Sequence, residues 1–210
     1  KTLVMAGAAL DAKTKVVGTT PLHLAAREDH VKVISVLVAA GASLSARDGD
    51  GDTPLHMAVV YGQTKAVVAL VAAGASQKAT VDRRNKKKMT PLHLAAYYGE
   101  ADSIRVLVAA GAALEAKGEH GSTPLYLAAH ESHDATTTQK KKLQAVDMLL
   151  ALGASHKAMD TDGNTPLHNS AAHGGEWAIK ALLAAGAVLK AHNHEGATPL
   201  DLATQSGNVK

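Results

Sequence analysis

The chain has 210 residues, a length that ordinarily folds as one or two globular domains. It has no cysteine, which excludes a disulfide framework and thiolate chemistry, and no apolar run of roughly 18 residues that would span a membrane. The net charge of +3 is too small to imply a polyanionic partner.

Phe is absent and there is one Trp, so the core must come from Leu, Val, Ile and Ala. Such small residues suit thin helices packed in close layers. Lys1 to Gly7 aligns with Ser35 to Gly41, the end of a helix, so the chain is expected to open inside one. Thr20 to Ala25 then reads Thr-Pro-Leu-His-Leu-Ala. The phrase returns, with substitutions, at Thr53, Thr90, Thr123, Thr165 and Thr198, in steps of 33, 37, 33, 42 and 33. This is one unit copied, with insertions in two copies.

Within the unit, Thr20 caps a first helix and Pro21 suits its first position, where no N–H is needed. Leu22, Leu24, Ala25 and Ala26 are expected to face neighbouring layers. Asp29 stands where other copies carry Gly62, Gly99, Gly174 and Gly207, a turn position that favours positive φ. A second helix carries Val33, Ile34, Leu37 and Val38 at helical spacing. Gly41-Ala42 ends it, and the pair recurs at Gly7, Gly74, Gly111, Gly153 and Gly186. The polar stretch Ser45 to Asp52 turns back to the next Thr-Pro.

The phrase, the period and the Gly-Ala cap resemble the ankyrin repeat, over nearly the whole chain. The resemblance implies an all-α fold, a solenoid of stacked helix-turn-helix units with projecting hairpin turns. It divides the chain into one array: a partial repeat 1–19, repeats at about 20–52, 53–89, 90–122, 123–164 and 165–197, and a partial repeat 198–210. The cut repeats at both ends suggest a segment of a longer protein. The resemblance also implies that His23, His56, His93 and His168 bond neighbouring backbone and tie adjacent repeats. Tyr126 and Asp201 replace that histidine, so those joints are expected to be looser or differently bonded.

No metal or other cofactor is expected. His192 with His194, and His130 with His133, lack the third and fourth ligands that zinc wants. Asp48, Asp50 and Asp52, and likewise Asp160, Asp162 and Asn164, resemble the opening of a calcium loop. The twelfth positions are Val59 and Ala171, inside predicted helices, where a bidentate Glu would be needed. Turn chemistry explains these residues instead.

The step of 37 places four extra residues before Thr90, in a turn that holds Arg83, Arg84, Lys86, Lys87 and Lys88. It reads either as a site for an acidic or nucleic-acid partner or, preferably, as a solvated loop drawn toward Asp48, Asp50 and Asp52. The step of 42 places nine extra residues after His130, between the helices of one repeat. Thr136, Thr137 or Thr138 would cap a second helix that starts early. Lys140 to Lys142 forms a second basic cluster, at the opposite end of the repeat from the tips. Nucleic-acid binding wants one continuous basic stripe with stacking aromatics, so the sequence argues against it.

The resemblance places partner contacts on the concave face, at the hairpin tips and at two positions late in each first helix. The pairs are Arg27 and Glu28, Val60 and Tyr61, Tyr97 and Tyr98, His130 and Glu131, Ala172 and His173, and Gln205 and Ser206. Asp50, Asp52, Lys86 and Lys87 supply the tips. Three of the four tyrosines fall in adjacent pairs, and Tyr buries large area at low entropic cost. Trp177 is either an exposed second contact or packs under the long insertion. The expected function is a non-catalytic scaffold that binds another protein, in the cytoplasm, with no small-molecule substrate. No nucleophile with a paired base and no phosphate loop is present. The alternatives are a recognition arm of a larger enzyme or channel, and nucleic-acid or acidic-partner binding through 83–88.

Overall fold

The computed structural model describes residues 9–74, 78–131, 138–173 and 175–208. The expectations at Lys1 to Gly7, His133, Thr136, Thr137 and Gly174 lie outside them. The fold is all-helical, with no strand among the described residues. In chain order the helices are α1 (Pro21–Arg27), α2 (Val31–Ala39), α3 (Pro54–Val60), α4 (Thr64–Gly74), α5 (Lys78–Val81), α6 (Pro91–Tyr98), α7 (Ala101–Ala109), α8 (Pro124–Ala128), α9 (Gln139–Ala151), α10 (Pro166–Ala172), α11 (Glu176–Ala184) and α12 (Pro199–Gln205). The chain divides into two compact units: residues 1–94 with 105–112, and residues 95–104 with 113–210.

Each first helix starts where the sequence says. Thr53 is extended, at φ −93° and ψ 167°, and Pro54 opens α3. His56 Nδ1 accepts from Thr53 N–H at 3.2 Å and lies 2.8 Å from Thr53 Oγ1. His thereby takes the role that Glu has in a capping box. Because Nδ1 accepts, Nε2 carries the proton, and it donates to the Met89 carbonyl at 3.1 Å. His23 reaches the Asp52 carbonyl and His168 the Ala197 carbonyl in the same way. His93 makes the same contacts with Thr90. These rings are fully buried, and burial lowers the pKa of His23 and His168 and pushes His56 down to about 4. The imidazoles of His23, His56 and His168 are therefore neutral struts from one repeat to the next.

In the first unit, α1 packs on α2 and α3, and α4 packs on α2 and α3. Leu22, Ile34, Leu55, Val67 and Leu70 fill the space between them. Asp29 takes φ 55° as expected, and its Oδ1 accepts from Ala66 N–H at 2.8 Å, which fastens α4 to the preceding loop. Leu24 and Val33 depart from expectation and are exposed. In the second unit, α9 packs on α8 and α11, and α10 packs on α8, α11 and α12. Leu125, Val146, Leu149, Leu167 and Leu182 form that core.

The described residues of each insertion add a helical turn. The extra residues before Thr90 do not lengthen the hairpin tip; they form α5, seated by Val81 and Thr80, which are buried. The later insertion lets α9 start a turn earlier than the other second helices, with Thr138 as its cap accepting from Lys141 N–H.

Four of the turns share one device. Asp48 Oδ1 accepts the N–H groups of Asp50 and Asp52 at 3.0 and 2.8 Å. Asn85, Asp160 and Asn193, each also five residues before a Thr-Pro, do the same. Of the carboxylates that resembled a calcium loop, those of Asp48 and Asp160 are thus committed to backbone. Tips also join through main chain. Gly49 N–H donates to the Val17 carbonyl and Lys86 N–H to that of Asp50 in the first unit. Thr161 N–H donates to His120 and His194 N–H to Asp162 in the second.

Candidate partner-binding surface

In the first unit the contact candidates gather at the ends of α1 and α3. Arg27 donates through Nε to Glu28 Oε1 at 2.7 Å. Its guanidinium carbon also lies 6.0 Å from the centre of the Tyr61 ring, at the limit of a cation–π contact. Gln63 Nε2 donates to the Arg27 carbonyl at 2.9 Å and fixes the spacing of the two helix ends. Tyr61 is 53% exposed, and Val60 beside it is half-buried.

At this unit's tips, Asp50, Lys86 and Lys87 are exposed. Asp52 is half-buried, and its Oδ1 accepts from Asn85 Nδ2 at 2.8 Å. Burial raises its pKa, against the hydrogen bond from Asn85. The Lys86 ammonium rests on the Gly49 carbonyl.

In the second unit, the Tyr97 and Tyr98 rings meet edge to face, 5.1 Å between centres. Both are half-buried. Lys142 Nζ lies 4.9 Å from the centre of the Tyr97 ring and donates to the Leu127 carbonyl at 2.9 Å. This corrects the reading of Lys140 to Lys142 as one basic cluster. Lys142 is only 2% exposed, and desolvation pushes its pKa down to about 8. Lys141 turns outward and pairs with Glu100 at 2.9 Å. The backbone of Lys141 presses on Gly99, where a Cβ would sit 2.8 Å from the Lys141 carbonyl carbon. The extra turn of α9 thus packs directly against the loop that follows Tyr98.

Farther along this unit, the His130 and His173 rings meet at 4.2 Å. His173 Nδ1 donates to the Asn169 carbonyl, and Asn169 Nδ2 to the Tyr126 carbonyl. Glu131 and Ala172 are half-buried, whereas Gln205 and Ser206 are exposed. Tyr126 is differently bonded from the histidines it replaces. Its hydroxyl donates to Asp160, and burial together with the Asp160 charge raises its pKa. Asp201 instead accepts from both the N–H and the hydroxyl of Thr198, which lowers its pKa. Trp177 is buried on α11, beside Gln139 and Leu143 at the early start of α9, so it is not the exposed contact. Among the described residues no group of three or more His, Asp or Glu is placed to hold a metal, and no helix is long and apolar enough to cross a membrane.

Two features go beyond what the sequence alone suggested. The Asx residue five positions before Thr-Pro was legible as a repeat position. The burial of Lys142 carried no local signal.

Paired short helices, capped by Thr-Pro and joined by histidine struts and Asx turns, define a helical-repeat protein. Family models for ankyrin repeats match residues 1–81 and 133–210 (three copies) and residues 75–128 (many copies), and the chain belongs to the ankyrin repeat family. Among solved structures it is similar to the ankyrin repeat domain of Bcl-3, described as a unique member of the IkappaB protein family. The identity is 28% and the TM-score 0.81, over 96% of this chain and 85% of that one. No curated protein matches the chain. Membership in this family marks the chain as a protein–protein interaction module.

Proposed function

We propose that the chain is a non-catalytic cytoplasmic scaffold that binds another protein through residues late in its first helices and at its tips. The first unit contributes Arg27, Glu28, Val60 and Tyr61, with Asp50, Asp52, Lys86 and Lys87. The second contributes Tyr97, Tyr98, His130, Glu131 and His173. The observation that carries this reading is the Tyr97–Tyr98 pair. Its rings are fixed before any partner arrives, by each other and by Lys142. Half-exposed aromatics held in place lose little entropy on binding, so more of their contact energy becomes affinity.

The test is affinity capture from source-cell lysate with the parent chain and a Tyr61→Ala, Tyr97→Ala, Tyr98→Ala variant whose fold is verified by circular dichroism. A protein captured by the parent and lost by the variant supports the surface. Capture that the variant leaves unchanged overturns it.

A further inference from the structure

We infer that the turn from Arg83 to Lys88 is a second docking site, for a carboxylate-rich peptide segment of a partner protein. It shares Lys86 and Lys87 with the first unit's proposed surface but uses none of the tyrosines. Arg83, Arg84, Lys86, Lys87 and Lys88 are all exposed. None of the five forms an ion pair among the described residues. The acidic turn nearby does not neutralise them: only Lys86 reaches it, and it contacts a carbonyl rather than a carboxylate. Lys87 acts on Asp52 through space alone.

The cations are presented on a stiff support. Asn85 is buried and accepts the N–H groups of Lys87 and Met89 at 3.0 Å each. Lys86 N–H is held by the Asp50 carbonyl, and α5 anchors the stem through buried Val81. Lys88 is the second observation. It sits at φ 58°, in the left-handed region, two residues before Thr90. The equivalent positions in the other turns are Gly18, Gly51, Gly121, Gly163 and Gly196, all at positive φ. A lysine held where glycine fits without strain points to a use for its charge.

The chemistry favours carboxylates on a peptide over a nucleic-acid backbone. No aromatic residue stands between Lys78 and Thr90 to stack a base. A phosphate chain running along the tips would meet Asp50 on the adjoining turn, whereas a short acidic segment needs only the one tip.

The experiment is fluorescence anisotropy on the full chain. The probes are a labelled polyglutamate peptide, its polyglutamine counterpart and a single-stranded oligonucleotide, each at several salt concentrations. The polyglutamate peptide is expected to bind at low salt and weaken as salt rises, and the polyglutamine peptide is not expected to bind. An Arg84→Glu, Lys87→Glu, Lys88→Glu variant is expected to lose affinity roughly tenfold or more. Lys88→Gly is expected to melt at higher temperature and bind about twofold more weakly. Equal binding of the two peptides, or affinity unchanged in both variants, overturns the assignment. So does tighter binding of the oligonucleotide than of polyglutamate at the same salt.

Discussion

Lys142 and Tyr97 form a cation–π pair: the ammonium lies 4.9 Å from the ring centre, inside the protein. The cation belongs to the turn that the insertion adds to α9, and the ring belongs to the proposed binding surface. Variation in the insertion therefore acts on the surface through this contact and through those of Lys141 with Gly99 and Glu100.

Burial of this lysine predicts a pH signature. Its pKa of about 8 lies below the ordinary value of 10.5, so between those values the unfolded chain binds more protons. Stability contributed at this site therefore rises with pH across that window. Relative to Lys142→Met, the parent should gain about 3 kcal/mol between pH 7 and pH 10.5. Urea denaturation at the two pH values checks this; parallel curves for the two proteins would refute it.

The histidine struts predict acid lability. His56 has a folded pKa of about 4 against the ordinary value of 6.5. Its contribution is complete above pH 6.5 and is lost as pH falls toward 4. The loss amounts to about 3 kcal/mol at this one site. His56→Gln should be less stable at about pH 7.5 by about 1–3 kcal/mol, because the Met89 carbonyl loses its donor. It should also flatten the stability profile between pH 6.5 and 4, measured by denaturant titration in steps of pH.

Tyr126 bonds a charged carboxylate where its counterparts bond a carbonyl. Tyr126→Phe should cost about 2 kcal/mol, the range for hydrogen bonds to charged groups. In an Asp160→Asn background the same substitution should cost less, and a double-mutant cycle measures the difference.

Two glycines separate backbone strain from crowding. Gly153 is at φ 93°, with nothing within 4 Å of the position a Cβ would take. Gly153→Ala should cost about 1–2 kcal/mol from the left-handed backbone alone. Gly99 is at φ 74°, and a Cβ there would meet the Lys141 backbone at 2.8 Å. Gly99→Ala should cost clearly more, about 3 kcal/mol or above. Equal melting temperatures for the two variants would mean that α9 does not press on this loop.

The repeats were legible because their signals are local. Thr-Pro starts a helix, Gly-Ala ends one, and histidine at the third helical position closes the cap, all within a few residues. Thr138 as the early cap of α9 was legible for the same reason. Lys140, Lys141 and Lys142 look alike in sequence, however. Helical rotation of about 100° per residue sends one inward and another to Glu100, and only packing decides which. Trp177 was ambiguous for the same reason, since its cover is a helix distant in sequence. The tip residues divide similarly: Asp52 serves its neighbour Asn85, while Asp50 and Lys87 face water.

The hairpin joints use main-chain atoms and one Asx side chain, and leave the residues between them unspent. Positions such as Asp50, Lys87 and Asp162 can therefore change sign, size or polarity with little effect on folding. Selection for a new partner can act there on a chain whose architecture is already secured elsewhere. The same positions are where a library for directed evolution should be randomised.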